Sequence, residues 1–354
     1  MKEIVSHDSH AEKRPAQVQV ASGQRTRYNH VMLITELRPL GTTDIRVSPI
    51  ALGTWPIAGM TTLGTNDADS IATIAACFDL GINFLDTAYC YGRDGESERL
   101  IARAMDGRRD EMVIATKCGI HWETDGAQAI DGRSATLKAE FDKSLRRLNT
   151  DRVELLYLHT PDPKLPLAES AGALHEILLS GKARSIGVSN FNLAQLQEFH
   201  AICPIAAFQP PYNMLQRGIE ADTLPWCREH RVSVFVYWPL MKGLLAGKFA
   251  RDHQFAPKDG RVKLPMFHGE EWEKNQDFLD ELRRLSRETG RSMSQIVLNW
   301  TIHRPGITAA LCGAKRPDQI RENAGGMGWH LTPEQLATID AALTRRGPAV
   351  TRRA

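Results

Sequence analysis

The chain has 354 residues, room for one large hydrophobic core or two medium ones. Apolar residues at 42% and charged residues at 24% are ordinary for a globular protein, and a net charge of +2 predicts neither nucleic-acid binding nor attraction to an anionic membrane surface. No stretch approaches the roughly 18 uninterrupted apolar residues of a membrane helix.

Residues 1–34 are polar, with no signal-peptide apolar core and too little arginine for a transit peptide. They are expected to form a disordered extension, with Met32 as a candidate natural start. One domain is expected over 35–346, followed by a tail at 347–354. Leu37–Val47 carries Gly41, Thr42 and Asp44 between two extended segments, the pattern of a hairpin. Ile50–Leu52 is a strand running into a loop at Gly53–Trp55. Residues 67–80 place Ile71, Ile74, Ala75, Phe78 and Leu80 at helical spacing, with Asp67 as the expected cap. Ile82–Leu85 is a short apolar run suited to a strand buried on both faces.

The alternation then continues. Helices are expected at Glu98–Met105, Ala135–Leu148, Leu167–Leu179, Leu193–Ile202 and Ile219–His230. Between them lie strands at Met112–Thr116, Val153–Leu158, Ser185–Val188, Ala206–Phe208 and Val232–Val236. A long loop leads to helices at Phe278–Thr289 and Met293–His303, a last strand at Thr308–Cys312, and helices at Pro317–Asn323 and Pro333–Leu343. Eight strands strictly alternating with helices imply parallel pairing with right-handed crossovers, and eight units in this length fit a closed (β/α)8 TIM barrel. An open doubly wound sheet competes, but it wants a Gly-x-Gly-x-x-Gly turn after an early strand, and the chain has none.

The six cysteines, Cys77, Cys90, Cys118, Cys203, Cys227 and Cys312, form no Cys-x-x-Cys pair and several sit in apolar runs. Reduced, buried thiols in a reducing, cytoplasmic compartment are expected. The histidines show no zinc-like spacing, so no metal site is expected.

Asp86, Lys117, His159, Asn190, Gln209 and Tyr237 all fall at or just past the C-terminal ends of different expected strands. Singly, each reads as a solvated loop charge or a satisfied polar residue. In a barrel those ends converge on the face that holds active sites. Two tyrosines, Tyr89 and Tyr91, follow Asp86. A lysine about 4 Å from a tyrosine, at an effective dielectric of about 20, favours phenolate by roughly 4 kcal/mol, or about 3 pKa units, before solvent screening. Asp86 pairing with Lys117 would keep it charged, and a neutral His159 would hydrogen-bond an oxygen that gains negative charge. The set suits protonating a carbonyl oxygen while hydride reaches its carbon, or the reverse.

Leu-Gly-Thr-Trp (52–55), Asn-Phe-Leu-Asp-Thr-Ala-Tyr-Cys-Tyr-Gly (83–92), Ala-Thr-Lys (115–117), Leu-Tyr-Leu-His (156–159), Gly-Lys-Ala-Arg-Ser-Ile-Gly-Val-Ser-Asn-Phe (181–191), Phe-Gln-Pro-Pro-Tyr-Asn (208–213), Tyr-Trp-Pro-Leu (237–240) and Gly-Leu-Leu-Ala-Gly-Lys (243–248) occur in this order. Together they resemble the aldo-keto reductase superfamily over about residues 37–345, and the closing motifs are most similar to the bacterial reductases and potassium-channel β-subunit relatives. The resemblance implies a catalytic tetrad of Asp86, Tyr91, Lys117 and His159, with Tyr91 as proton donor. It further implies a nicotinamide cofactor held by Thr54, Trp55, Asp86, Ser189, Asn190, Gln209, Tyr237, Pro239 and Leu240. Gly243, Lys248 and Arg261 would meet the pyrophosphate side, and Gly313, Ala314, Lys315, Arg316, Gln319, Glu322 and Asn323 the adenosine-phosphate side.

Lys315 and Arg316 precede a helix, where a 2′-phosphate would meet both charge and free N–H groups. This favours NADPH over NADH. Trp55, Tyr89 and Trp238 would line a substrate pocket. The 249–274 loop, with Phe255, Phe267, His268 and Trp272, is long enough to close as a lid. The expected activity is reversible NADPH-dependent reduction of aldehydes or ketones, with a small-molecule carbonyl as substrate, no nucleic acid or membrane as partner, and the oligomeric state left open. Two other readings stay open, a nicotinamide-binding sensor or adaptor subunit with slow turnover, and a non-redox barrel using the carboxylate and histidine.

Overall fold

The computed structural model describes residues 36–60, 64–256 and 259–350; the expectation for 1–34 and the last four residues of the tail lie outside them. Eight parallel strands close a barrel in chain order: β1 Ile50–Gly53, β2 Phe84–Asp86, β3 Val113–Cys118, β4 Leu155–Leu158, β5 Ile186–Ser189, β6 Ala207–Gln209, β7 Ser233–Val236 and β8 Ile307–Gly313. The first and last strands pair Gly53 with Gly313. The doubly wound alternative is thereby excluded.

Two layers of apolar residues hold the barrel. Strand residues facing outward pack with the helices in one continuous core. Those facing inward, among them Ala51, Phe84, Ala115, Leu155, Tyr157, Ala207, Phe235 and Ala309, form a second. The N-terminal hairpin, Arg38–Pro39 paired with Arg46–Val47, adds Leu40, Ile45 and Val47 to the inner cluster and so plugs the bottom of the barrel. Its Arg38 guanidinium donates to the carbonyls of Ile302 (2.6 Å) and Thr308 (3.1 Å).

The helices are α1 Asp67–Asp79, α2 Glu96–Ala104, α3 Ser134–Leu148, α4 Leu167–Leu179, α5 Leu193–Ile202, α6 Thr223–Glu229, α7 Gly269–Thr289, α8 Met293–Ile302, α9 Pro317–Ala324 and α10 Pro333–Arg346. Ends follow capping chemistry: Asn192, Ser292 and Thr332 each form a capping box with a glutamine three residues on. Asn66, not Asp67, caps α1, accepting from the Asp69 N–H. The expected helix 219–230 is split, because a short 3-10 turn, Gly218–Glu220, ends at Ala221 and Asp222 caps α6.

Helix α7 starts nine residues earlier than its apolar spacing predicts. Its first turns bury Asn275 and Gln276, whose side chains donate to the carbonyls of Met266 (2.9 Å) and Phe249 (3.3 Å). A polar buried face is invisible to a hydrophobic pattern. The loop before α7 therefore ends at His268, and Trp272 belongs to the helix, its indole N–H on the Arg251 carbonyl (2.8 Å). No described helix is long and apolar enough to cross a membrane.

A second hairpin, Ile120–Trp122 with Gln128–Ile130, stands above β3 and is absent from the sequence expectations. Its signal was present: Asp125-Gly126 between two short β-prone runs is turn chemistry. Gly126 is left-handed (φ +87°) and the Asp125 carboxylate accepts from the Ala127 N–H (2.8 Å).

Candidate active site

Strand alternation places the polar residues. Phe84, Ala115, Tyr157, Ala207 and Phe235 pack inside the barrel, and side chains two residues apart share a face. The next inward positions are Asp86, Lys117, His159, Gln209 and Tyr237. Ser189 stands in the same relation to Gly187. These residues come together at the top of the barrel because each sits one step beyond an inward-facing packing residue. Asn190 turns the corner after β5 in a left-handed conformation (φ +64°).

Lys117 is the centre. Its side chain is wholly buried, and its ammonium donates to Asp86 Oδ1 (2.6 Å), the Thr87 carbonyl (2.7 Å) and the Tyr91 hydroxyl (3.3 Å). All three donors are used. The second carboxylate oxygen of Asp86 accepts from Gln209 Nε2 at 2.7 Å. Thr54 ties β1 to β2, its hydroxyl donating to the Asp86 carbonyl (2.8 Å). Burial pushes the Asp86 carboxyl above the usual carboxylate range, while the Lys117 charge pulls it back.

Tyr91 departs from the expected phenolate shift. Burial and the Asp86 charge hold its hydroxyl well above the ordinary value of 10. The lysine is matched by a carboxylate at 2.6 Å, so the phenol meets a pair whose net charge is nearly zero. Tyr91 is a protonated phenol. His159 is neutral, since burial and the nearby Lys117 push it down to about 3. The two rings lie edge to face at 6.1 Å, and Trp55 stands edge-on to Tyr91 at 5.1 Å.

Around this group, Tyr237 donates its hydroxyl to Asn190 Oδ1 (2.8 Å). Asn190 Nδ2 donates to the His159 carbonyl (3.0 Å), and the Ser189 hydroxyl to the Gln209 carbonyl (2.8 Å). Tyr89 points elsewhere. Its ring packs on the Arg147 guanidinium of α3 (4.5 Å) and its carbonyl accepts from the same group (3.1 Å), so the rings beside Tyr91 are those of Trp55 and His159. Arg147 also bonds the buried Glu98 carboxylate (3.3 Å), which accepts from Thr116 (2.8 Å). This network, missed in the sequence, braces the loop that carries Tyr91.

After β7 the backbone is left-handed at Trp238, Met241, Lys242 and Gly243, with Pro239 buried and Leu240 partly so. A Cβ on Gly243 would come 3.6 Å from the Phe249 ring and 3.9 Å from Arg261 Nη1, so Gly243 and Arg261 are neighbours. Arg261 is held by Asp259. Lys248 is exposed. At the end of β8 Gly313 is exposed; beyond it Ala314 is buried, and the Lys315 N–H donates to Gln319 Oε1 (2.9 Å). Arg316 forms a two-point contact with Asp318 (both 3.1 Å), and Glu322 accepts from the Ser292 hydroxyl. Asn323 is buried and its Nδ2 has no hydrogen-bond partner.

The aldo/keto reductase family pattern matches residues 49–344. The chain belongs to that family. It is an oxidoreductase of the aldo-keto type, and the family uses nicotinamide cofactors. Among relatives, the chain is 35% identical to the aldo-keto reductase YhdN of Bacillus subtilis over 87% of its own length and 93% of that protein. It is 32% identical to the NADH-specific methylglyoxal reductase of Escherichia coli over 87% and 96%. The glycerol dehydrogenase AKR11B4 from Gluconobacter oxydans superposes with a TM-score of 0.83 at 36% identity, covering 90% of this chain and 98% of that one.

Proposed function

We propose that this aldo-keto reductase reduces aldehydes or ketones with NADPH, Tyr91 giving the proton and taking it back in the reverse direction. The observation that carries the reading is the Lys117 ammonium, bonded at once to Asp86, the Thr87 carbonyl and the Tyr91 hydroxyl. It sets a positive charge, balanced by Asp86 in the resting site, against the oxygen that must release a proton.

A nicotinamide dinucleotide fits the residues around this group. The unpaired buried Nδ2 of Asn323 is a donor awaiting an acceptor such as an adenine ring nitrogen. Lys315 and Arg316, ahead of α9, offer charge to a 2′-phosphate. Ser189, Asn190 and Gln209 present amide and hydroxyl groups for a carboxamide, and Tyr237 a ring for stacking. Gly243, Lys248 and Arg261 would meet the pyrophosphate. When bound, the dinucleotide supplies hydride to the carbonyl carbon.

The chain's own residues handle the proton. Tyr91 donates its O–H to the carbonyl oxygen, and the phenolate left behind keeps the Lys117 N–H as a hydrogen bond that its new negative charge strengthens. Asp86 accepts from Lys117 at 2.6 Å and holds it in place. Neutral His159 offers a hydrogen bond to the same oxygen. Trp55 and Trp238 would wall the substrate.

The two relatives with named substrates, methylglyoxal and glycerol, point to short polar carbonyls as the first probes. The test is fluorescence titration with NADPH and NADH, then turnover of methylglyoxal and glyceraldehyde and oxidation of glycerol. Tight NADPH binding with turnover is expected. Tight binding with no turnover on any carbonyl would replace the reductase with a sensor, and failure to bind either cofactor would remove the redox reading.

A further inference from the structure

The backbone of His159 is held on both sides. Its N–H donates to the Cys118 carbonyl (3.0 Å) and its carbonyl accepts from Asn190 Nδ2 (3.0 Å). What remains open is which ring nitrogen carries the single proton of a neutral imidazole. The Nδ1 edge of the ring meets Cys90, whose Sγ lies 3.6 Å away. Cys90 is buried, and its carbonyl accepts from the Trp122 indole of the second hairpin at 2.9 Å. The hairpin therefore fixes where the sulfur sits. Burial raises the Cys90 thiol to about 12, so it carries its hydrogen throughout the physiological range.

We propose that Cys90 is a positioning residue that sets the tautomer of His159: its S–H donates to Nδ1, which places the imidazole proton on Nε2, free to be donated to a carbonyl oxygen beside Tyr91. A thiol is a weak donor and a weak acceptor, whereas an imidazole nitrogen lone pair is a good acceptor. The opposite arrangement would turn the Nε2 lone pair towards an oxygen that becomes more negative during reduction. That contact is repulsive where a donor is needed. The role rests on the reductase reading for its consequence, but the tautomer itself is a property of the resting protein.

Long-range 1H–15N correlation spectra of the full chain labelled with 15N-histidine read the tautomer directly, His159 being assigned by its loss in His159→Gln. The wild type and Cys90→Ser, which keeps a donor, are expected to show Nε2–H. Cys90→Ala is expected to show a mixture or Nδ1–H. With methylglyoxal and NADPH, kcat should fall about tenfold in Cys90→Ala, the scale of one lost hydrogen bond, recover to within about threefold in Cys90→Ser, and leave the NADPH Kd unchanged. Nδ1–H in the wild-type spectrum overturns the proposal without any variant, and so does a Cys90→Ala protein that keeps both Nε2–H and wild-type kcat. A wild type that reduces no carbonyl defeats the reductase reading while the spectra still decide the tautomer.

Discussion

Tyr91 illustrates how a pairwise argument fails when the pair has a third member. A lysine alone would drag the phenol towards neutrality, but Asp86 lies closer to the ammonium (2.6 Å) than Tyr91 does (3.3 Å), and burial penalises a second anion. A donor held protonated well above its ordinary value has a clear consequence for pH dependence. The group supplies its proton below its pKa and loses it only above, so carbonyl reduction should stay flat through the neutral range and fall by Tyr91 ionisation only above about pH 10. Tyr91→Phe should lower kcat by about 10²–10⁴-fold and leave NADPH affinity within about threefold, as no ordering charge is lost. Steady-state kinetics from pH 6 to 11 check both; a fall with a midpoint near 7.5 that vanishes in Tyr91→Phe would restore the phenolate shift.

At the level of elements, β4 and β5 meet through a side chain and its absence. Tyr157 pairs with Gly187 across the ladder, and the buried Tyr157 ring occupies the place a side chain would take. A Cβ on Gly187 would lie 2.5 Å from Tyr157 Cε1 and 2.9 Å from the Ala207 carbonyl oxygen. Neither can give way easily, since one is a packed ring and the other backbone. Gly187→Ala should destabilise the barrel by about 1–3 kcal/mol through overpacking, and should displace Ser189 two residues on. Denaturant unfolding measures the first effect. Unchanged stability would mean that this layer of the barrel is slack. Gly187 was legible in the sequence only as part of the motif Ile-Gly-Val-Ser-Asn; its packing reason required the neighbouring strand.

For the whole molecule, the question is which cofactor the rim of the barrel selects. Arg316 is already paired with Asp318, an exposed contact worth little in water that a doubly charged phosphate would outcompete. Lys315 would add a second positive charge; the first turn of α9 adds little, since Pro317 has no N–H and the Gln319 N–H donates to the Arg316 carbonyl (3.0 Å). Replacing Lys315 and Arg316 together by Ala should weaken NADPH by at least about tenfold, the scale of one or two charge-assisted bonds, and NADH by less than about threefold. Paired titrations decide it. Equal losses would place the 2′-phosphate elsewhere, in keeping with a relative that is NADH-specific.

Period-two and period-3.6 patterns determined the architecture without any contact information, because alternation of buried strands and amphipathic helices admits few packings. Strand ends determined which polar residues share a face: Asp86, Lys117, His159, Gln209 and Tyr237 lie two positions beyond residues of the inner core. What lay beyond the sequence was everything that depends on a partner far along the chain. The early start of α7 rests on Asn275 and Gln276 meeting loop carbonyls. The turning of Tyr89 away from the site rests on Arg147, 58 residues on. The charge state of Tyr91 rests on burial and on Lys117 lying closer to Asp86 than to the phenol, and the Cys90–His159 contact on two loops meeting across 69 residues. Local chemistry sets which element forms and which face it buries; Coulomb and desolvation energies depend on distances that only the closed barrel creates.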